Sequence, residues 1–560
     1  MEIIKGIAGA PGLAKADAYF YRKNISKTAV VDIDEAVKIS LEKINGLKRK
    51  AENSLGESEA KIFEAYKMLL EDRALISQIR SRIGDGDDAV SATEAVTGRM
   101  SAILASKKNE YMRQRADDIR YVGKLICESL CGAKQEDDKN FEGKVILAAY
   151  ELTPVDTMLF DLKNLAAIVT ETGGATSHTV ILAKSLGIPA VTGVENIEKR
   201  IKTGSFLCVD GDAGRVTVDP GKEQLAEFEM RLEEERNFIE KIKSLKKSKA
   251  YLKDGEEFNV CVNIGNPEDL NELEETVFNG VGLFRTEFLY SKSQKKPTFE
   301  QQAEAYKKVI DFCGEEYVTI RTIDVGGDKI IDYLNMKKEE NPFLGSRGIR
   351  LSMDNGEIFL EQLCAILYAA RGKKVKILLP MITSVKELDW AKDMIKKAEE
   401  RLSEKNLDFC RNYLVGIMVE TPACAVCADI FAKKCDFFSI GTNDLVQYIT
   451  AADRGNVSVA KFYNPYHPSV LRLIDFTAKS AVKNGIPVSV CGDLAANLDF
   501  TEIFVGMGIK SLSVPAMILG RIKKRLGEIS EKEAVKTLET VLSSDDGDKI
   551  AGILKKGERR

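Results

Sequence analysis

Phe437-Phe438-Ser439-Ile440-Gly441-Thr442-Asn443-Asp444-Leu445 is a short apolar run that stops at a glycine and turns polar. Phe437–Gly441 has the length and the aromatic and β-branched content of a buried strand. Asn443 and Asp444 stand at its C-terminal end. The same layout recurs on either side. Working outward, seven more candidate strands are Phe258–Ile264, Gly282–Phe288, Tyr317–Asp324, Val375–Met381, Leu414–Glu420, Pro487–Cys491 and Ser511–Val514. Helical stretches separate them. Eight β/α repeats in about 300 residues predict a (β/α)8 TIM barrel, assigned here to residues 251–560.

Polar residues fall at the ends of these strands. Arg285 ends the second, in Leu-Phe-Arg-Thr-Glu. Arg321 lies in the third, ahead of Asp324-Val-Gly-Gly-Asp-Lys329. Glu420 ends the fifth. Asn443 and Asp444 end the sixth, with Arg454 beyond them, and Cys491 ends the seventh. Barrel active sites gather at the C-terminal ends of different strands. Three arginines and a lysine suit a small substrate bearing both phosphate and carboxylate, which guanidinium forks bind in a bidentate manner. Glu420 and Asp444 suit a magnesium ion that also takes substrate oxygens and water. A thiol at Cys491 can deliver a proton.

The first half of the chain reads differently. Residues 2–22 are glycine-rich and β-like. No proline occurs between Pro11 and Pro154, and apolar residues recur at helical spacing, as in Ile62, Tyr66, Leu69, Leu70, Ile76 and Ile79. A second amphipathic stretch covers Arg115 to Leu130. The β/α pattern resumes at Val145-Ile-Leu-Ala and continues through Ala167–Thr170 and Phe206–Val209. The expected organisation is an α/β domain built from residues 1–22 and 144–221, with a helical unit, 23–143, inserted in it. Residues 222–250 are strongly charged and predict a long exposed helical linker.

Within the α/β part, Gly173-Gly-Ala-Thr-Ser-His178 meets the helical run Thr179–Leu186, which Gly187 and Pro189 stop. Thr176 or Ser177 can cap that helix. A helix N-terminus offers free N–H groups and positive potential, so an imidazole there can carry a phosphoryl group. His178 is one of only two histidines. The other, His467, sits in Asn-Pro-Tyr-His-Pro before a helix and reads as structural.

The bulk numbers exclude several classes. At 560 residues the chain holds several domains. Its 82 basic and 86 acidic residues give no basic excess for nucleic acid or an anionic membrane. No run approaches the roughly 20 apolar residues of a membrane span. The first residues lack the layout of a signal peptide. Eleven scattered cysteines fit a reduced cytoplasm. Cys424 and Cys427 form a C-x-x-C with no second pair, so helix packing explains them better than zinc.

Gly-Gly-x-Thr-Ser-His-Thr followed by Leu-Ala-Lys-Ser-Leu-Gly-Ile-Pro-Ala-Val resembles the phosphohistidine segment of the phosphoenolpyruvate-utilising enzymes. Ile-Lys-Gly-Ile-Ala-Gly-Ala-Pro-Gly near the start, Met68-Leu-Leu-Glu-Asp, Gly282-Leu-Phe-Arg-Thr-Glu, Glu340-Asn-Pro-Phe-Leu-Gly-x-Arg, Phe437–Leu445 and Asp453-Arg-Gly-Asn extend the resemblance to nearly the whole chain. They follow the order found in the Enzyme I branch of the sugar phosphotransferase system.

The resemblance implies a swivelling phosphohistidine domain, a helical insert that binds a small histidine-containing phosphocarrier protein, and a barrel that binds phosphoenolpyruvate (PEP) and forms a homodimer. It implies that His178 carries the phosphoryl group, that Arg285, Arg321, Lys329, Asn443 and Arg454 bind PEP, and that Arg347 joins them. It further implies that Glu420 and Asp444 hold magnesium, that Cys491 is the general acid and that Thr157 orients His178. The implied location is the cytoplasm.

Four positions depart from the family pattern: Ala175 and Lys184 where many relatives have arginine, Asp493 in place of glutamate, and Pro515 after the last strand. An ATP-using dikinase or synthase is a rival, but only 177 residues precede His178 and no P-loop occurs among them. A non-catalytic scaffold is a second rival, and the joint presence of His178, the arginines, both carboxylates and Cys491 argues against it. A regulatory paralogue with an extra sensor domain is also disfavoured, because the chain opens on the first family motif.

Overall fold

The computed structural model describes residues 2–22, 29–54, 57–105, 110–132, 141, 143–152, 156, 160–173, 178–273, 275–291, 295–326, 331–334, 336, 339–456 and 458–557. The chain forms two compact units, Met1–Asn237 and Phe238–Arg560.

The first unit is built on an eight-stranded mixed sheet. Its strands are β1 (Glu2–Lys5), β2 (Ile7–Ala10), β3 (Leu13–Tyr21), β4 (Val145–Ala149), β5 (Leu165–Thr170), β6 (Ala190–Thr192), β7 (Phe206–Asp210) and β8 (Arg215–Val218). Their spatial order is β1-β8-β7-β3-β4-β5-β6-β2. The sheet is buried on both faces because side chains alternate along each strand. On β4, Ile146 and Ala148 enter one core with Ala167 and Val169, while Leu147 and Ala149 enter the other with Ile168. Such two-sided burial explains why these strands read as continuous apolar runs.

Strands β3 and β4 are parallel neighbours, with Asp17 opposite Val145 and Tyr21 opposite Ala149. Between them in sequence, the described residues form five helices: α1 (Ile33–Ser54), α2 (Glu57–Leu70), α3 (Arg73–Gly84), α4 (Ala89–Ala105) and α5 (Glu110–Leu130). They bury a core of their own that includes Tyr66, Ile79, Val96, Val122 and Leu125. Asp72 caps α3 by accepting from the N–H groups of Ala74 and Leu75.

The second unit is the barrel. Its parallel strands are β10 (Glu257–Ile264), β11 (Val281–Phe284), β12 (Val318–Arg321), β13 (Val375–Leu379), β14 (Tyr413–Val419), β15 (Phe437–Gly441), β16 (Val488–Cys491) and β17 (Ser511–Val514). Each pairs with the next. Closure comes from β17 against β10, with Asn259 opposite Ser511 and Val262 opposite Val514. A two-residue strand, β9 (Ala250–Tyr251), adds to β10 in the antiparallel sense.

The second strand is shorter than its composition suggests. It ends at Phe284, and a helix begins at Glu287. Some helix starts around the barrel are capped by side chains. Thr298 with Gln301 and Ser384 with Glu387 form complete capping boxes. Gly416 has its place because a Cβ there would come within 2.5 Å of the Phe437 ring, which fills the barrel interior.

The charged stretch after β8 forms one helix, Lys222–Lys246. It crosses the division between the units, which falls between Asn237 and Phe238. In the first unit its Arg231 pairs with Asp210 at 2.7 Å. In the second, the buried Lys523 ammonium donates to the carbonyls of Lys246, Ser248 and Val277 around the helix end.

Candidate active site

A cavity of about 210 Å3 opens at the C-terminal ends of the barrel strands. Four guanidinium groups line it, from Arg285, Arg321, Arg347 and Arg454, as do four carboxylates, from Glu287, Asp324, Glu420 and Asp444. Asn443 and Cys491 complete its polar lining. The polar residues predicted at five separate strand ends are therefore brought together. Lys329 and Thr157 lie outside the described residues.

Local backbone sets each position. Arg285 follows β11, Arg321 ends β12, Glu420 follows β14 and Cys491 ends β16. Asn443 and Asp444 open the helix Thr442–Thr450, which starts directly after β15. The Asn443 side-chain oxygen accepts from the Asp493 N–H at 2.7 Å, and the Thr442 hydroxyl donates to the Cys491 carbonyl at 2.9 Å. These bonds tie the ends of β15 and β16 together. Gly492 adopts φ +85°, and a Cβ there would meet Asn443 Oδ1 at 2.6 Å.

The arginines form two groups. Arg321 donates to Glu287 at 2.8 Å and lies 3.0 Å from Asp324. Its Nε is buried and has no hydrogen-bond partner among the described residues. Arg347 bridges Asp324 at 3.0 Å and Asp444 at 2.9 Å. Burial alone would weaken both guanidinium charges. Glu287, Asp324 and Glu420 outweigh it at Arg321, and Asp324, Asp444 and Glu420 at Arg347, so both stay firmly protonated. Arg285 and Arg454 form no ion pair among the described residues. Two free guanidinium groups and one orphaned buried N–H are what a small anion would satisfy.

Glu420 is buried, and its Oε1 accepts from the Met381 N–H at 2.7 Å. Burial, then the neighbouring Asp324 and Asp444, push its carboxyl up to about 8, against the opposing pull of Arg321 and Arg347. A divalent cation beside this carboxyl would favour its ionised form. Among the described residues no three His, Cys, Asp or Glu side chains converge closely enough to hold a metal alone. Glu420 and Asp444 follow neighbouring strands and line the same cavity, which leaves room for ligand oxygens and water beside them. Two carboxylates with substrate oxygens and water are a donor set that suits magnesium.

Cys491 is buried, and burial pushes its thiol up from the ordinary cysteine range. At neutral pH it is a protonated thiol facing the cavity.

His178 begins the helix His178–Leu186, which connects β5 to the parallel strand β6. It therefore stands beyond the carboxyl end of β5, the usual ligand position in open α/β sheets. Its side chain, like Gly174–Ser177, lies outside the described residues. His467 is the N-cap of the helix Pro468–Lys483, and its Nδ1 accepts from the Ser469 N–H at 3.2 Å. Cys424 and Cys427 bracket a turn of helix capped by Thr421, and both are free thiols.

Glu287 and Asp324 were not singled out by sequence reasoning, although each anchors a predicted arginine. Their signal was present: both are acidic residues at the ends of predicted strands.

Three family models match the chain: the PEP-utilising enzyme N-terminal region over residues 5–115, the mobile domain over 141–214 and the PEP-binding domain over 239–531. The chain is 37% identical over 557 residues to the phosphoenolpyruvate-protein phosphotransferase of Latilactobacillus sakei, covering 97% of each chain. It is 37% identical over 547 residues to that of Staphylococcus epidermidis, covering 95% of each. The chain belongs to the phosphoenolpyruvate-protein phosphotransferase family. A third relative, from Listeria innocua, is 36% identical over 567 residues and 99% of each chain. The similarity thus embraces the family's N-terminal, mobile and PEP-binding parts in one chain. Among the described residues no helix is long and apolar enough to cross a membrane.

Proposed function

We propose that this chain takes the phosphoryl group of PEP onto His178 and passes it to a histidine of a small phosphocarrier protein, releasing pyruvate, as the first step of the sugar phosphotransferase system. The observation that carries this reading is the barrel cavity, where unpaired guanidinium groups, two buried strand-end carboxylates and a protonated thiol face one small space. PEP has one phosphate, one carboxylate and one carbon that must be protonated when the phosphate leaves.

Arg285, Arg321 and Arg454 bind and orient the two anionic groups, Asn443 adds a neutral donor, and Lys329 and Arg347 extend the cradle. Glu420 and Asp444 would hold magnesium, which when bound supplies positive charge that offsets the phosphoryl oxygens. Asp444 also holds Arg347 at 2.9 Å, and Arg347 is tied to Asp324 at 3.0 Å as well, so this guanidinium stands beside the proposed metal carboxylates. His178, oriented by Thr157, attacks phosphorus in line as the bond to the enol oxygen breaks. Cys491 then protonates the methylene carbon of the enolate, giving pyruvate.

The phosphohistidine must next reach a carrier docked on the helical insert, α1–α5. One imidazole serving two sites requires a hinge. The helix Lys222–Lys246 supports that role, because its residues divide between the two compact units. The same reading places the protein in the cytoplasm, where its eleven free cysteines fit, and pairs it as a homodimer through the barrel.

Incubation with 32P-labelled PEP and magnesium, followed by mapping of the labelled residue, tests the proposal. Acid-labile label on His178 is expected; label that requires ATP instead would restore the dikinase reading.

Arg321→Lys should lower kcat/KM by at least about 100-fold, since a point charge replaces a fork held by two carboxylates and its free Nε–H is lost. Glu420→Ala and Asp444→Ala should each raise the magnesium concentration needed for phosphorylation or abolish it. Titrating magnesium at fixed PEP checks this, and normal metal dependence in both carboxylate variants would refute the metal assignment.

Cys491→Ser should still bind PEP and magnesium, seen calorimetrically, yet lose most turnover. A hydroxyl in that buried position is a far weaker acid than a thiol. Wild-type pyruvate production by Cys491→Ser would remove the thiol from the mechanism.

A further inference from the structure

Ser439 lies on β15 two residues before Gly441, so both face the barrel interior. It is 1% exposed, as is Cys491. The Ser439 hydroxyl donates to Cys491 Sγ at 3.4 Å, and the thiol in turn donates to the Ile440 carbonyl at 3.4 Å. One side of the sulfur faces the polar cavity and the other is apolar, where Leu283, Leu378, Met418 and Phe437 form one cluster with Cys491. Among the described residues no other side-chain donor reaches the sulfur.

We infer that Ser439 is a positioning residue for the carbon protonation, aiming the Cys491 thiol and stabilising the thiolate it becomes. The inference rests on the proposed role of Cys491 as general acid. In that step the S–H bond breaks and a C–H bond forms at the methylene carbon. The carbon–carbon π electrons make the new bond, the enolate oxygen becomes the ketone oxygen, and sulfur keeps its electron pair. A thiolate in an apolar floor is costly without a donor. Ser439 supplies one at fixed distance, and Arg285 and Arg321 add favourable potential, while Glu420 opposes them. The thiolate regains its proton from water once pyruvate has left.

The sign of the pH effect follows. Burial already raises the thiol, and the Ser439 hydrogen bond works against that rise. Removing the hydroxyl should raise the thiol further. The alkaline limb of turnover, where the thiol loses its proton, should then move to higher pH, while proton transfer below that limb slows.

The test uses the full chain with Ser439→Ala, Ser439→Val and Ser439→Thr, and Cys491→Ala as reference. Pyruvate release is measured at saturating PEP and magnesium. The pH midpoint for iodoacetamide alkylation is read on the Cys491 peptide by mass spectrometry, which separates it from the ten other cysteines. Alanine and valine should slow pyruvate release about tenfold or more, as loss of a hydrogen bond to a charged group does. Both should raise the alkylation midpoint. Threonine has the volume of valine but keeps the hydroxyl, so it should restore both values. An unchanged midpoint and rate in Ser439→Ala, beside a severely impaired Cys491→Ala, would overturn the inference alone. Equal losses in valine and threonine with unmoved midpoints would also overturn it, showing packing and nothing more. Wild-type turnover in Cys491→Ala would overturn the general-acid reading beneath it.

Discussion

A His178→Ala protein should take up no acid-labile phosphate from PEP, whereas a His467→Ala protein should label as the wild type does. The chain has two histidines, and their surroundings differ in kind. His178 opens a helix beyond the carboxyl end of β5, and the positive end of a helix favours a phosphorylated imidazole. His467 spends its Nδ1 as an acceptor for the Ser469 N–H at the start of the helix Pro468–Lys483. Loss of the nucleophile should reduce labelling on the order of 10^4-fold or more, as removal of a nucleophile does in other group-transfer enzymes. Loss of the His467 cap should cost stability instead, about 0.5–2 kcal/mol. Filter-bound radioactivity and a thermal melt on each variant separate the two effects. A folded His467→Ala protein that fails to label would reverse the assignment.

The barrel was legible because its strands are buried on both sides, so each reads as an uninterrupted apolar run closed by a polar residue. Phe437–Gly441 and Ser511–Val514 are found at the residues the pattern indicates. The second strand overshoots because Arg285-Thr286-Glu287-Phe288 has mixed composition, and the fold uses Glu287 to start a helix and to hold Arg321. Ala190–Thr192 and Arg215–Val218 escaped notice as strands because they are short and neither has a full apolar run closed by a polar residue.

The site divides along the same line. Which residues stand at strand ends follows from the chain order, so Arg285, Glu420, Asp444 and Cys491 could be named. Which of them pair does not. Arg347 reaches Asp444 across 97 positions and Asp324 across 23, and only the closed barrel brings them together. Ser439 shows the limit most plainly. One small polar residue inside an apolar strand carries no signal until the neighbouring strand places a sulfur beside it.

Cutting the chain within the long helix should separate the two halves of the reaction. A fragment ending at Leu245 retains His178, both cores of the mixed sheet and the helical insert with its own core. It lacks every residue that lines the barrel cavity, the first of which is Leu283. It should take no label from PEP and magnesium, because nothing in it orients the phosphoryl donor or protonates the leaving enolate. It should still exchange label with the phosphorylated carrier protein, since acceptor and docking surface remain together. A second, overlapping fragment beginning at Phe238 contains the closed barrel and its core. It should bind PEP with magnesium, measured calorimetrically, and remain unlabelled. The expected contrast is all-or-none in both directions, which makes it sharper than any point substitution. Direct labelling of the N-terminal fragment by PEP alone would place the substrate site in the wrong half of the chain. Failure of that fragment to exchange with the carrier would instead detach the helical insert from partner binding while leaving the barrel chemistry intact.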